Sequence, residues 1–384
     1  MIAKAIKLLT FSDVHLGVRR LNADVMCSNL WEFIFPWLDK VNLVCIVGDL
    51  FDTAIGFHDE CGAPIVAFIN RFLRVCNERG ITVRILRGTY SHDRTQPKML
   101  EVLHDKYGFK NDLKYFDKIS LEHIPEFDIR VLYVPDDVPF KTAVDAMAHI
   151  KELMRTVGWD YVDYAFVHGY FDFVLPKTDK MDKRMVYTEE MYSFVRRRII
   201  VGHVHTPAST PSGMIYYNGS TDRLAQGEEE SKGMLFTEDD HKGHVTTTFI
   251  KNDKATIFKT FDYSDIESDD HLVNRLREDI DALPSSRCSL FVRVIHPSPE
   301  VREALASFVE KTYPRVVFSH RSRKQKDAQD EYRERDMTDV SFDLGPAPTP
   351  QDIPMLVIQQ LMETKKKFLI TEQDVVGMLA ELNA

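Results

Sequence analysis

Short continuous apolar runs alternate with longer stretches whose apolar positions recur every three or four residues. Ala5–Phe11, Leu43–Val47 and Ile81–Leu86 are runs of the first kind and read as strands. Between them, positions 22–39 carry Val25, Met26, Leu30, Phe33, Ile34, Trp37 and Leu38 at helical spacing. Positions 60–79 read as a second helix, closed by Gly80. This βαβαβ order predicts an α/β fold with a mainly buried sheet and helices on its faces. Ile129–Val134, Tyr164–Val167, Ile199–Val201, Met214–Tyr217 and Met234–Thr237 predict further strands. Val245–Ile250 and Thr256–Thr260 read as a closing hairpin, which puts the end of the first unit near residue 262.

The pattern changes after that point. A helix over His271–Leu283, a strand over Ser289–Ile295, a helix over Glu300–Lys311 and a strand over Arg315–Ser319 predict a small α/β domain at 263–320. Positions 321–350 are dense in charge and end in Gly345-Pro346-Ala347-Pro348-Thr349-Pro350, the composition of a solvated linker with a stiff end. Two amphipathic helices are expected in 351–384, around Met355, Leu356, Ile358 and Leu361 and around Val375, Val376, Leu379 and Leu382.

Length and charge narrow the class. At roughly 150 residues per domain, 384 residues suggest two or three domains. A formal net charge of -10 argues against a nucleic-acid partner if read globally, but it leaves a local cationic groove open. No apolar run approaches the roughly 18 residues that span a bilayer. The first residues run directly into Asp13 and His15 without a small-residue cleavage site, so no signal peptide is expected. Five cysteines, never in a CxxC pair, fit reduced thiols and a cytoplasmic protein.

Five segments each place Asp, His or a small polar residue just after an apolar run. They are Asp13-Val14-His15, Gly48-Asp49-Leu50-Phe51-Asp52, Gly88-Thr89-Tyr90-Ser91-His92-Asp93, Val167-His168-Gly169 and Gly202-His203-Val204-His205. Ligands gather at the C-terminal ends of strands in sheets of this connectivity, so one site could collect all five. Carboxylates and imidazoles without thiolate suit manganese, magnesium, iron or zinc. The i, i+2 spacing of Asp13/His15 and His203/His205 is what extended backbone offers to two ligands of one ion. His123, His149, His241, His244 and His271 are scattered and read as surface residues.

The order DxH, GDxxD, Gly…His-Asp, His-Gly and GHxH resembles the calcineurin-type metallophosphoesterases. The forms FSDVHLG, GDLFD and VGHVHTP resemble the SbcD-type nucleases within that family, over about residues 10–205. The resemblance implies a β-sandwich flanked by helices and two divalent metal ions, manganese first, with magnesium, iron or zinc as alternatives. It implies Asp13, His15 and His205 on one metal, His168 and His203 on the other, and Asp49 bridging. His92 would stand by the scissile phosphate, with Asp52 orienting it, and a water between the cations would attack phosphorus. The family usually has Asn before the His of the third segment. Here no Asn is present and the segment is two residues longer, so Ser91 is the expected substitute ligand.

The resemblance further implies DNA as substrate, an SMC-like (SbcC-type) ATPase as partner docking on 351–384, a DNA-positioning role for 263–320, and a homodimer, for which Asn22–Leu38 is a candidate face. Basic clusters support a DNA path: Arg19 and Arg20, then Lys177, Lys180, Lys183 and Arg184, then Arg196, Arg197 and Arg198. The expected activity is double-strand exonuclease and single-strand or hairpin endonuclease in break processing. The alternatives are a phosphoesterase for small molecules or proteins, and a DNA-end-binding scaffold with a degraded second metal site.

Overall fold

The computed structural model describes residues 4–56, 59–175, 184–266, 269–284, 290–314 and 316–321. The chain starts with β1 (Ile6–Phe11), α1 (Ala23–Leu38), β2 (Leu43–Val47), α2 (Gly62–Glu78) and β3 (Thr82–Leu86). A one-turn helix α3 (Tyr90–Asp93), helix α4 (Lys98–Tyr107) and strands β4 (Leu113–Phe116), β5 (Ser120–Ile124) and β6 (Ile129–Val134) follow. Then come α5 (Ala143–Thr156), β7 (Val162–His168), the short pair β8 (Tyr170–Phe171) and β9 (Val186–Tyr187), and β10 (Val195–Gly202). The remainder is β11 (Ala208–Ser209), β12 (Ile215–Tyr217), β13 (Gly233–Asp239), β14 (Val245–Lys251), β15 (Ile257–Asp262), α6 (Asp269–Asp281), β16 (Leu290–Ile295), α7 (Pro299–Thr312) and β17 (Val316–Arg321).

The fold is α/β, as the alternation of runs requires. Two six-stranded sheets, ordered β14-β13-β1-β2-β3-β4 and β11-β12-β10-β7-β6-β5, share a core. Ile6, Leu8, Leu43, Cys45 and Val47 of the first sheet pack there with Val131, Tyr133, Tyr164, Phe166 and Ile200 of the second. The opposite faces of the same strands (Leu9, Phe11, Val44, Ile46) pack against α1 and α2. Ala165, Val167, Ile199 and Val201 pack against α5. A strand buried on both faces must be apolar at every position, which is why β2 reads as a continuous run. Because β1, β2 and β3 are parallel, as are β6, β7 and β10, their C-terminal ends emerge on one side in each sheet.

Two expectations change. Thr256–Thr260 is not the hairpin partner of Val245–Ile250: β14 pairs antiparallel with β13, while β15 runs parallel to β16 in a separate sheet β15-β16-β17. β15 pairs with β16 along its full length, from Ile257 opposite Leu290 to Asp262 opposite Ile295. That sheet and helices α6 and α7 enclose a core of their own, around Tyr263, Leu272, Leu276, Val292, Val294 and Leu305. The apolar face of α1 is core: Met26, Leu30, Trp31, Phe33 and Ile34 are buried, which removes the sequence case for a dimer face there. The expected linker beyond Arg321 and the helices of 351–384 lie outside the described residues.

Candidate metal centre

The motif residues sit at the C-terminal end of a parallel strand or on the turn that follows it. Asp13 and His15 follow β1, Asp49 follows β2 and Thr89 follows β3. His168 ends β7, and His203 and His205 follow β10. Ligand atoms of Asp13, His15 and His205 lie within 4.8 Å of one another, as do those of Asp49, His168 and His203, and those of His15, Asp52 and His92. Asp49 stands between the first two groups, with its Oδ2 3.9 Å from His15 Nε2 and 3.2 Å from His168 Nε2.

The backbone does not deliver these residues by extended alternation, contrary to the reading of the i, i+2 spacing. Asp13, His15, Asp49 and His203 have φ of 51°, 52°, 48° and 89°, in the left-handed region. Such conformations cost a non-glycine residue about 1–3 kcal/mol each, so the surroundings must impose them. Main-chain bonds between the two loops do so. Asp13 N donates to Gly48 O at 3.1 Å, and Val14 N and His15 N donate to Asp49 O at 2.8 and 3.1 Å. His203 N donates to both Asp13 carboxylate oxygens at 3.0 and 3.1 Å. Glycine is required where the loops touch. A Cβ on Gly88 would fall 2.1 Å from Asp49 N and 2.2 Å from its Oδ1. One on Gly48 would fall 2.1 Å from His168 Nδ1.

The residues fit a bound divalent cation. His15 Nε2 and His168 Nε2 are buried and make no hydrogen bond. The Asp49 carboxylate is 3.9 Å from the first and 3.2 Å from the second. A buried polar atom without a partner costs about 1–3 kcal/mol, so two ring nitrogens aimed at one carboxylate lack a ligand. The donors are oxygen and nitrogen throughout, the set preferred by manganese, magnesium, iron and zinc. Charge agrees. Burial would raise the Asp49 carboxyl, but the neighbouring His168, with His15 and His92, holds it well below the usual range. Burial opposes a proton on His168, yet the Asp49 carboxylate holds that imidazole above its ordinary value. A cation between them would take the place of that proton.

Asp52 is close to His92 but serves it differently from the expectation. Its carboxylate meets His15 Nδ1 at 3.2 Å, and that bond lowers its pKa. It is the Asp52 main-chain carbonyl that accepts from His92 Nδ1, at 2.7 Å. His92 therefore keeps Nε2 free of that bond, with its ring edge-on to His15 at 4.7 Å.

Ser91 is not brought to the second group. It lies exposed on α3, and the hydroxyl that reaches the group belongs to Thr89. Thr89 Oγ1 is 3.3 Å from Asp49 Oδ2 and 3.3 Å from His203 Nδ1, and Thr89 N donates to Asp49 Oδ1 at 2.6 Å. The two extra residues coil into the one-turn helix, so the position directly after Gly88 faces the centre. Asp93, buried behind that helix, accepts from Phe51 N at 3.0 Å and Gly88 N at 2.7 Å. Burial, with the Asp49 charge nearby, pushes its pKa up to about 6.

The basic residues divide. Arg196, Arg197 and Arg198 occupy the start of β10, and at about 3.3 Å per residue Arg197 sits roughly 20 Å back along the strand from His203. Arg197 pairs with Asp163 at 3.0 Å and with Asp239. Arg198 donates to the carbonyls of Arg197 and Val245, and Arg196 lies over the Tyr161 ring at 3.2 Å. The strand direction thus sets this cluster back from the metal centre, with the Arg197 and Arg198 side chains engaged inside the fold. Arg19 and Arg20 are exposed, and Arg19 lines a 510 Å³ cavity with Asp24, Ile55 and Asp59. Arg184 lines a second cavity of 620 Å³, which reaches His168 and His203 and includes Asp136, Lys141 and Tyr170. Lys177, Lys180 and Lys183 lie outside the described residues.

Sequence reading missed Thr89, Glu228 and Lys232. The last two fall in Glu228-Glu229-Glu230-Ser231-Lys232, a charge run of the kind that ordinarily faces solvent, yet Lys232 is 0% exposed.

No family model and no curated sequence matches the chain. Among solved structures it is similar to TT1561 of Thermus thermophilus, with 10% identity over 64% of this chain and 99% of that one and a TM-score of 0.37. It is also similar to wild-type Vps29 from Entamoeba histolytica complexed with Zn2+, with 11% identity over 65% of this chain and 100% of that one and a TM-score of 0.26. At that distance the centre stands on its own residues.

Proposed function

We propose that the chain is a metal-dependent phosphodiesterase of the calcineurin-type metallophosphoesterase class, and within it an SbcD-type DNA nuclease acting with an SMC-like ATPase. The observation that carries the hydrolase reading is the pair of ligand groups on either side of Asp49, with His92 beside them. Two cations bound there, manganese first, would neutralise a phosphate and supply an activated water. Asp13, His15 and His205 would hold one, and His168 and His203 the other, with Asp49 common to both. His92, its Nδ1 tied to the Asp52 carbonyl, presents Nε2 to donate a proton to the leaving oxygen.

The DNA reading rests on the motif forms FSDVHLG, GDLFD and VGHVHTP and on the cations at Arg19, Arg20 and Arg184. A second reading, a phosphoesterase for smaller substrates, is favoured by the internal pairing of Arg197 and Arg198. Among the described residues no helix is long and apolar enough to cross a membrane; the cytoplasmic location we propose rests on five cysteines that never form a CxxC pair.

The test uses the full chain with manganese chloride, linear duplex DNA and bis-p-nitrophenyl phosphate, with and without an SMC-like ATPase. Cleavage of both, lost in Asp49→Asn, is expected. Cleavage of the ester alone under every condition would select the second reading. Undiminished cleavage by Asp49→Asn would refute the metal centre.

A further inference from the structure

The four imidazoles of the centre are supported in two different ways. In the first group, His15 Nδ1 meets the Asp52 carboxylate at 3.2 Å and His205 Nδ1 meets the Glu228 carboxylate at 3.4 Å. In the second, His168 Nδ1 meets the Val47 carbonyl at 2.8 Å and His203 Nδ1 the Thr89 hydroxyl at 3.3 Å. The first group is backed by charge and the second by neutral acceptors.

Behind His205 stands an ion cluster built on the buried Lys232, with Glu228 and Glu230 half-buried around it. Lys232 Nζ, wholly buried, donates to Glu230 Oε1 at 2.6 Å, pairs with Glu228 Oε2 at 2.8 Å and donates to the His205 carbonyl at 3.1 Å. The same carbonyl accepts from Ser220 N at 3.1 Å, and Glu228 Oε2 also accepts from Leu224 N at 3.2 Å. Ring and main chain of His205 are therefore both fixed by one strap of chain, residues 220–232. Burying a lysine among carboxylates is a poor way to gain stability, because apolar residues of the same volume do as well or better. A charged carboxylate on Nδ1 has another effect. It holds the ring with the proton on Nδ1 and the lone pair on Nε2, and makes the imidazole a stronger donor. His205 Nε2 lies 4.0 Å from Asp13 Oδ1, a separation that one ion with bonds of about 2.1 Å can span.

We propose that Glu228 and Lys232 are positioning residues for the first metal: Glu228 fixes the tautomer and aim of His205, and Lys232 fixes Glu228. This rests on the reading of Asp13, His15 and His205 as a metal group. It follows that the two groups differ in affinity, with the carboxylate-backed group binding more tightly.

The test is calorimetric titration of the metal-free full chain with manganese chloride, together with nitrogen NMR of the His205 ring at alkaline pH. The wild type is expected to show a tight and a loose class. Glu228→Gln, close in shape, is expected to weaken the tight class about 10–100-fold, the usual effect of losing a carboxylate behind a ligating histidine, and to leave the loose class unchanged. It also shifts the His205 tautomer in the metal-free chain, which a merely structural role would not do. Lys232→Met gives the same direction. Glu230→Gln, which touches Lys232 but not His205, changes affinity less. If Lys232→Met does not fold, Glu228→Gln alone decides. A folded Glu228→Gln with both manganese affinity and tautomer unaltered overturns the proposal and leaves the metal centre standing. A wild type that binds no manganese overturns the metal centre, and this proposal with it.

Discussion

Thr89→Val isolates one hydroxyl at the second group. Valine keeps the branched shape and the main-chain N–H, so the 2.6 Å bond to Asp49 Oδ1 survives. What disappears is an oxygen 3.3 Å from Asp49 Oδ2 and 3.3 Å from His203 Nδ1. Hydrogen bonds to ionised groups contribute about 1.5–3 kcal/mol, and contacts at the long end of the range fall at the lower limit. A loss of about 1.5 kcal/mol corresponds to roughly tenfold in affinity. The looser class of manganese sites should therefore weaken about tenfold, and hydrolysis of bis-p-nitrophenyl phosphate at limiting metal should fall by a similar factor. Excess manganese should restore most of the rate, because Thr89 acts on metal retention. Ser91→Ala, on the exposed face of α3, should match the wild type in both assays. A Thr89→Val protein indistinguishable from wild type, or a Ser91→Ala protein that reproduces the loss, would refute the placement.

Three further outcomes follow from the geometry. Gly88→Ala should displace Asp49 and abolish manganese binding, since its Cβ would fall 2.1 Å from Asp49 N; titration of a folded variant that still binds both ions would contradict this. Arg197→Ala strips a partner from the buried Asp239 and should destabilise the fold by about 3 kcal/mol in denaturant titrations, with DNA affinity unchanged. A fall in DNA affinity at constant stability would return β10 to the DNA path. Asp222 is raised from 3.8 to about 6 by burial, which outweighs its bonds to Thr256 and Arg223. The native state then holds this proton more tightly than the unfolded chain. Its contribution is complete below the unfolded pKa and is lost as pH rises toward about 6, on the order of 3 kcal/mol. Asp222→Asn should flatten that part of the stability–pH curve, and parallel curves for the two proteins would count against the assignment.

Much of the centre was legible because its residues follow apolar runs. Asp13, Asp49, His168 and His203 each lie at or just beyond the end of a strand that is largely buried, and such strands announce themselves as continuous hydrophobic sequence. The helices α4 and α5 and the strands β4 and β5 escaped notice; α4, β4 and β5 have few buried apolar positions, whereas α5 buries Ala143, Ala146, Met147, Ile150 and Met154 at helical spacing. Residues such as Lys114, Glu122 and Tyr133 are held together by a polar network around the buried Arg84, which has no periodic signature.

The sequence by itself determined the α/β alternation, the buried strands and the five segments from which the centre is built, because these depend on local hydrophobic pattern and chain order. Tertiary structure decided how the centre is assembled. It selected Thr89 over Ser91, because one turn of helix takes up the extra residues. It turned Asp52 toward His15, and it buried Lys232 with Glu228 behind His205. It also sent Arg197 to the far end of β10. Each of these depends on left-handed backbone, strand direction or a partner distant in the chain. Those are set by packing between segments, and the residues at any one position do not encode them.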